Sequence, residues 1–183
     1  MSRRTPLLVC ILLIISLVAA SSASAQVSDE DWGLTLSVGP LFQTGTGPSG
    51  MGPALGFRAN KGVHPLWNLG VEGLLAMPVP FRDGNPYLSG GVFAGVTTNL
   101  DVVAAVPWLG VSLGLLFEPG SPDHDRAVNP ALMMSAGIDV RKHRDHSLGF
   151  QADVIGALEP KLHFARYVRV AFRYTWMRSR GGI

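Results

Sequence analysis

The sequence predicts an all-β fold, an eight-stranded antiparallel up-and-down transmembrane β-barrel, and two observations predict it. Apolar residues alternate with small or polar ones over eight segments of about 10–12 residues, the period of a strand with unlike faces and the length of a tilted strand that crosses a bilayer. Charged residues are only 15% of the chain, and Gly supplies 22 of 183 residues. So little charge does not suit the surface of a soluble domain.

The first 25 residues have the layout of a cleavable signal peptide. An arginine pair precedes the apolar run Leu7–Ala20, and Ala23–Ala25 matches the small-residue cleavage pattern. This run is shorter than the roughly 20 residues of a membrane helix. Cys10, the sole cysteine, lies inside the signal and too early for a lipid anchor. We expect residues 26–183 to form one outer-membrane barrel domain.

The charge balance gives no support to nucleic-acid binding. The formal charge of +2 comes from the two arginines of the signal, because 15 basic residues less these two equal the 13 acidic residues. A mature chain without net charge gives no electrostatic reason to expect nucleic-acid binding.

The eight predicted strands each alternate between two faces. The last is the clearest, with Val168, Val170 and Phe172 opposite Arg169 and Ala171. The connections are rich in Gly, Pro, Asp and Asn, as turns are. The predicted strands span residues 32–42, 51–60, 67–77, 87–98, 107–117, 132–141, 147–154 and 168–176.

The second face of these strands consists mainly of Gly, Ser, Thr and Ala, with a few charges of both signs. In a soluble periplasmic barrel of the lipocalin kind this face would meet water and carry many charges. Small residues instead fit the narrow interior of an eight-stranded barrel, and charges buried there must be paired. The predicted interior charge network comprises Arg58, Glu72, Asp139, Asp153, Arg169 and Arg173.

The four tryptophans sort to one edge of the predicted sheet. Trp32, Trp67 and Trp108 lie at the starts of odd-numbered predicted strands, and Trp176 ends the eighth. This placement predicts an interfacial aromatic belt at the periplasmic edge. Trp108 fits least well, since its parity assigns it to the interior face.

Residues 30–177 resemble the eight-stranded outer-membrane barrels of the OmpA and OmpX kind, most specifically in the hairpin 137–153 and the strand Tyr167–Trp176. The resemblance implies the outer membrane of a Gram-negative bacterium, contact with its lipid, and periplasmic chaperones and the barrel-assembly machinery during biogenesis. It also implies a monomer. Such barrels typically end in an aromatic residue, whereas here Trp176 is followed by residues 177–183, so the assembly signal would be internal.

The histidines do not form a predicted metal or catalytic site, and we expect no cofactor. His143 and His146 fall in a turn flanked by cations, and the acidic segment 123–125 lies in an outer loop. His64 and His163 are isolated in sequence. A lipid A-modifying enzyme would use Ser, His and an acid at the membrane edge, and no Ser or acid has a persuasive spacing to His163.

Two functions remain from the sequence. The first is a structural or interaction barrel with a largely plugged polar interior and four outer loops near residues 43–50, 78–86, 118–128 and 158–165. The second is a narrow, porin-like pore for small solutes, which requires an interior that the ion pairs do not fill.

Overall fold

The computed structural model describes residues 32–44, 49–64, 66–81, 85–99, 105–118, 127–143, 145–158 and 163–178. The expected signal peptide and its cleavage site lie outside these ranges. Among the described residues no helix is long and apolar enough to cross a membrane.

Eight long antiparallel strands and one two-residue strand form a single closed sheet. Each long strand pairs with its neighbours along the chain, and the first also pairs with the last. The predicted eight-stranded closed barrel is therefore confirmed. The strands are β1 (Trp32–Gln43), β2 (Gly50–His64), β3 (Trp67–Ala76), β4 (Val79–Pro80), β5 (Ser89–Asn99), β6 (Ala105–Glu118), β7 (Ala127–His143), β8 (His146–Ala157) and β9 (His163–Arg178).

The short strand β4 was not predicted. It extends the barrel wall beyond β3, because Pro80 pairs with Gly50 and Val79 with Met51 at the start of β2. Several long strands also exceed their predicted bounds, and β7 reaches 17 residues. Ladder hydrogen bonds continue past the point where the apolar alternation fades.

The two ends of the barrel differ in the length of their connections. At one end, β2 and β3 are joined through residues 65–66, and β7 and β8 through residues 144–145. We call this the short-turn end. At the other, the long-loop end, the β3–β5 connection runs from residue 77 to residue 88 and includes β4.

Side chains alternate between the exterior and the interior along every strand. In β1, Val38 is 54% exposed whereas Ser37 is 3% exposed. The predicted apolar face lies outside, as it must if the barrel wall contacts lipid rather than water.

The interior has two halves of different chemistry. The half towards the short-turn end is polar and charged. The half towards the long-loop end is apolar, so the polar interior predicted from the sequence occupies the other half. Here the inward positions carry larger apolar side chains, and Gly91 and Gly114 leave room for the ring of Phe93. The apolar cluster consists of Leu41, Ala54, Leu74, Ala76, Phe93, Leu116, Ala131, Met133, Ile155 and Tyr167.

Candidate functional site

The carboxylate of Glu72 on β3 forms two ion pairs at the centre of the charged half of the interior. Its Oε2 lies 2.9 Å from Nη2 of Arg58, the residue opposite it on β2. Its Oε1 lies 2.6 Å from Nη2 of Arg169 on β9. Both oxygens of one buried carboxylate are thus neutralised by separate guanidinium groups, from two different strands.

Arg169 extends this chain of charges to β8. Its Nε donates to Oδ2 of Asp153 at 2.6 Å, and both side chains are completely buried. Arg169 Nη1 also donates to Ser37 Oγ at 3.3 Å, and Gln151 Nε2 donates to the same oxygen of Asp153 at 3.0 Å. Desolvated ions are tolerable only with this degree of pairing. The ion-paired side chains Arg58, Glu72, Arg169 and Asp153 therefore form one connected network that crosses the barrel.

Gly56 makes room for the network. A Cβ atom built on Gly56 would contact Arg169 Nη1 and Ser37 Oγ, and would lie 3.2 Å from Glu72 Oε1. The absent side chain lets the guanidinium of Arg169 reach the carboxylate of Glu72.

Arg173 forms a second pair nearer the short-turn end. Its Nε lies 3.2 Å from Oδ1 of Asp139. Arg173 Nη2 donates to Thr175 Oγ1 at 3.2 Å and to Thr35 Oγ1 at 3.4 Å. The six charged side chains predicted to face inward thus all lie in the interior and all have a partner of opposite sign.

Trp108 lies inside the barrel rather than in the interfacial belt, which corrects its assignment. The side chain is 2% exposed, and Cζ of Arg173 lies 4.2 Å from its ring centroid. Cζ of Arg58 is 5.5 Å from the same centroid. The ring packs over Gly137 of β7, where a Cβ would lie 2.6 Å from indole carbon atoms. Successive side chains of a strand point to opposite faces, so the place of Trp108 in this alternation fixes its inward direction. Its position near the start of the strand does not.

The other three tryptophans are on the exterior at the short-turn end. Trp32, Trp67 and Trp176 are 51%, 37% and 41% exposed. Nζ of Lys61 lies 5.6 Å from the centroid of the Trp32 ring. This is where an interfacial belt would lie, with its aromatic rings beside a cation.

Between the two ends, the described part of the exterior is uncharged. Among the described side chains at outward strand positions, charge occurs only near the ends, at Lys61, Arg166 and Arg178. The surface between them is apolar, as shown by Val71, which is 53% exposed, and Phe150, which is 61% exposed. Such a band suits the hydrocarbon core of a bilayer.

A cavity of about 50 Å³ adjoins the charged half at the short-turn end. Its polar walls and its size allow it to hold water. The lining residues include Arg58, Asn60, Asn68, Trp108, Asp139 and Arg173.

A second polar cluster lies at the long-loop end and was missed by the sequence analysis. Tyr167 donates its hydroxyl to Glu118 Oε1 at 2.5 Å, and Arg166 Nη2 lies 2.9 Å from Glu118 Oε2. Nearby, Tyr87 donates to Gln43 Oε1 at 2.5 Å, and burial raises the pKa of the Tyr87 phenol. The sequence did contain a signal for this cluster. Glu118, at the end of β6, and Tyr167, near the start of β9, both have inward parity.

The described histidines do not form a metal site. No group of three or more His, Cys, Asp or Glu residues in the described part of the chain is arranged to hold a metal ion. His146 stacks on Tyr174, whose hydroxyl lies 2.6 Å from His146 Nδ1. His64 Nδ1 accepts a hydrogen bond from the backbone N–H of Leu66. The acidic segment 123–125 lies outside the described residues.

Comparison with known proteins shows the fold. No protein-family profile and no curated protein matches the chain. Among solved structures, Neisserial surface protein A superposes with a TM-score of 0.60 at 13% identity, over 80% of this chain and 96% of that one. The N-terminal β-barrel domain of Pseudomonas aeruginosa OprF gives 0.60 at 9% identity, over 82% and 100%. A de novo designed transmembrane β-barrel gives 0.53 at 11% identity, over 84% and 99%. The chain therefore has the fold of eight-stranded outer-membrane β-barrels.

Proposed function

We propose that the chain is an integral outer-membrane protein with a structural or interaction role and a closed interior. The observation that carries this proposal is the ion network Arg58–Glu72–Arg169–Asp153, which joins opposite walls of the barrel through contacts of 2.6–2.9 Å. A barrel of eight strands has an interior just wide enough for side chains, and here those side chains bind one another.

The apolar cluster is a second barrier to permeation, in addition to the ion network, and it also supports a closed interior. The apolar cluster occupies the half of the interior towards the long-loop end, and its members Ala131, Met133 and Ile155 are completely buried. A permeating ion would have to displace paired charges and then cross an apolar layer. Both steps are expensive, because breaking a buried ion pair and desolvating an ion each cost several kcal/mol.

The exterior supports insertion into a membrane with a defined orientation. Its uncharged band fits lipid, and the three exterior tryptophans mark one interface. In barrels of this type short turns face the periplasm and longer loops face outward. We infer that residues 1–25 direct export and are removed, that periplasmic chaperones and the assembly machinery deliver the chain, and that the barrel is a monomer without enzymatic activity.

The location is tested by fractionation and gel migration. We expect the protein in the outer-membrane fraction, starting at Gln26 on N-terminal sequencing, with a folded form that migrates differently from the boiled form. Recovery in the soluble periplasmic fraction would contradict the proposal and favour a water-soluble binding barrel.

The closed interior is tested by conductance in planar bilayers. We expect no steady single-channel steps from the purified protein, with an established porin as the positive control. Steady steps would instead favour the narrow pore for small solutes. A change in lipid A mass on overexpression would favour a lipid-modifying enzyme.

A further inference from the structure

We propose that the cavity at the short-turn end binds one small monovalent anion. This inference goes beyond the proposed function and requires only the observed barrel interior. It rests on the charges around the cavity, a buried and unpartnered N–H donor on one of its lining residues, and its size.

The charged groups that line the cavity are predominantly positive. Arg58 and Arg173 are two of its lining residues, and Asp139 is the lining carboxylate. Glu72 and Asp153 do not line the cavity, and both bind Arg169. The network is balanced as a whole, but the groups facing the cavity are not. An anion there would be attracted by two guanidiniums and repelled by one carboxylate.

The two guanidiniums also lie against one indole ring. Their Cζ atoms are 4.2 Å and 5.5 Å from the centroid of the same Trp108 ring. Like charges repel, and in a site of low dielectric the repulsion is large. An anion in the cavity would reduce it. Guanidinium groups are also the side chains best suited to bind small oxyanions.

Trp108 contributes a donor without a partner. Its side chain lines the cavity, it is 2% exposed, and its Nε1 has no hydrogen-bond partner among the described residues. The indole N–H can only donate, and a buried donor without an acceptor is destabilising. An anion supplies the missing acceptor. Asn60 Oδ1, which also has no partner among the described residues, would accept from a water molecule that accompanies the anion.

The size of the cavity suits a small ligand. A volume of about 50 Å³ is enough for a halide or nitrate ion together with a few water molecules. The ligand class is therefore a small monovalent anion, and bromide is the probe of choice because it quenches tryptophan fluorescence on contact.

The experiment titrates the full chain, folded in detergent micelles at pH 8, with sodium bromide. Bromide replaces sodium gluconate at constant ionic strength, since gluconate contains no heavy atom and does not quench tryptophan. We expect one saturable component of quenching in addition to the linear collisional quenching of the exterior tryptophans. The saturable component should be absent in Trp108→Phe. Quenching that is linear in the wild type and equal in Trp108→Phe would overturn the proposal and leave a cavity that holds only water.

A pair of variants at one wall position tests the role of charge. Asn68 lines the cavity and is 9% exposed. Asn68→Asp places a carboxylate at the wall and should weaken bromide binding at least about tenfold. Asn68→Ser keeps the position neutral and should leave the binding constant within about threefold, the usual context dependence of such contacts. Equal binding by both variants would overturn the proposal.

Crystals grown in bromide provide a measurement independent of the variants. We expect an anomalous peak beside Trp108 and Arg173. The absence of this peak at saturating bromide would contradict the site.

Discussion

Arg169 on β9 and Glu72 on β3 form an ion pair with 2.6 Å between Nη2 and Oε1, although they are 97 positions apart in the sequence. Their strands are not neighbours in the sheet, so the pair spans the interior. Each partner also binds a third residue on an adjacent strand, Asp153 for Arg169 and Arg58 for Glu72. Removal of either side chain therefore takes a counterion from two buried charges at once.

Glu72→Ala should lower the free energy of unfolding by about 3–5 kcal/mol, because Arg58 and Arg169 both lose a buried counterion. Urea unfolding of the protein in lipid vesicles measures this. Ser135→Ala is the matched control, since Ser135 is also 5% exposed or less and its Oγ has no partner among the described residues. We expect a change of less than about 1 kcal/mol for this control. Equal effects of the two variants would mean that the ion pairs do not stabilise the barrel.

Gly56→Ala should destabilise the barrel by about 1–3 kcal/mol, because the new methyl group would contact Arg169 and Ser37 and force the guanidinium from its position. Gly73→Ala is the matched control on the adjacent strand, since a Cβ at Gly73 meets nothing within 4 Å. We expect it to be neutral or slightly stabilising. The same unfolding measurement compares the two. A neutral Gly56→Ala would show that the interior yields to an added methyl group.

Val111→Arg tests whether the exterior faces lipid. Val111 lies at the middle of β6 and is 52% exposed, so an arginine there should cost about 2–4 kcal/mol in a bilayer. Val63→Arg, near the end of β2 and 46% exposed, should cost about 0–1 kcal/mol because it reaches the interface. Unfolding in vesicles gives both values. In a water-soluble barrel the two substitutions would have equally small effects.

Tyr87→Phe should reduce the loss of stability at alkaline pH. Burial raises the pKa of the Tyr87 phenol above that in the unfolded chain. The stabilisation of the neutral phenol is therefore fully present below its ordinary pKa near 10, and it is lost as the pH rises from there towards the folded value. Unfolding measured from about pH 8 to 11 should show a shallower decline for the variant.

At neutral pH, Tyr87→Phe should cost about 1 kcal/mol, because its hydrogen bond to Gln43 is lost. Gln43→Ala removes the same bond but keeps the phenol, so it should show a similar cost at neutral pH and retain the alkaline decline. An unchanged decline in Tyr87→Phe would exclude Tyr87 as its source.

The alternation along a strand predicts whether a side chain points into the barrel or out of it. The inward direction of Arg169 and Asp153 could therefore be predicted from the sequence. Which charges meet across the interior depends on the stagger between strands, which alternation does not encode. Arg169 reaches Glu72 because β9 and β3 place these residues at the same height in the closed barrel, and Gly56 on β2 leaves the space between them.

Two features were not predicted correctly from the sequence. These are the apolar half of the interior and the position of Trp108. Leu74, Leu116 and Met133 all have inward parity, but an apolar residue on a polar face is ambiguous until the strand ends are aligned. Trp108 had two conflicting indications, its place near a strand start and its parity. Parity prevails because the pleat of the strand fixes the side-chain direction, whereas an aromatic residue near a strand end is free to lie on either face.

The pairing of β1 with β9 brings the two ends of the described chain together, and β9 also carries Arg169 and Arg173, two of the three interior guanidiniums that the structure describes. The carboxylates of Glu72, Asp139 and Asp153 are on earlier strands. An open sheet that lacks β9 would therefore carry an excess of negative charge on the face that becomes the interior. Closure of the wall and neutralisation of the interior therefore depend on the same strand.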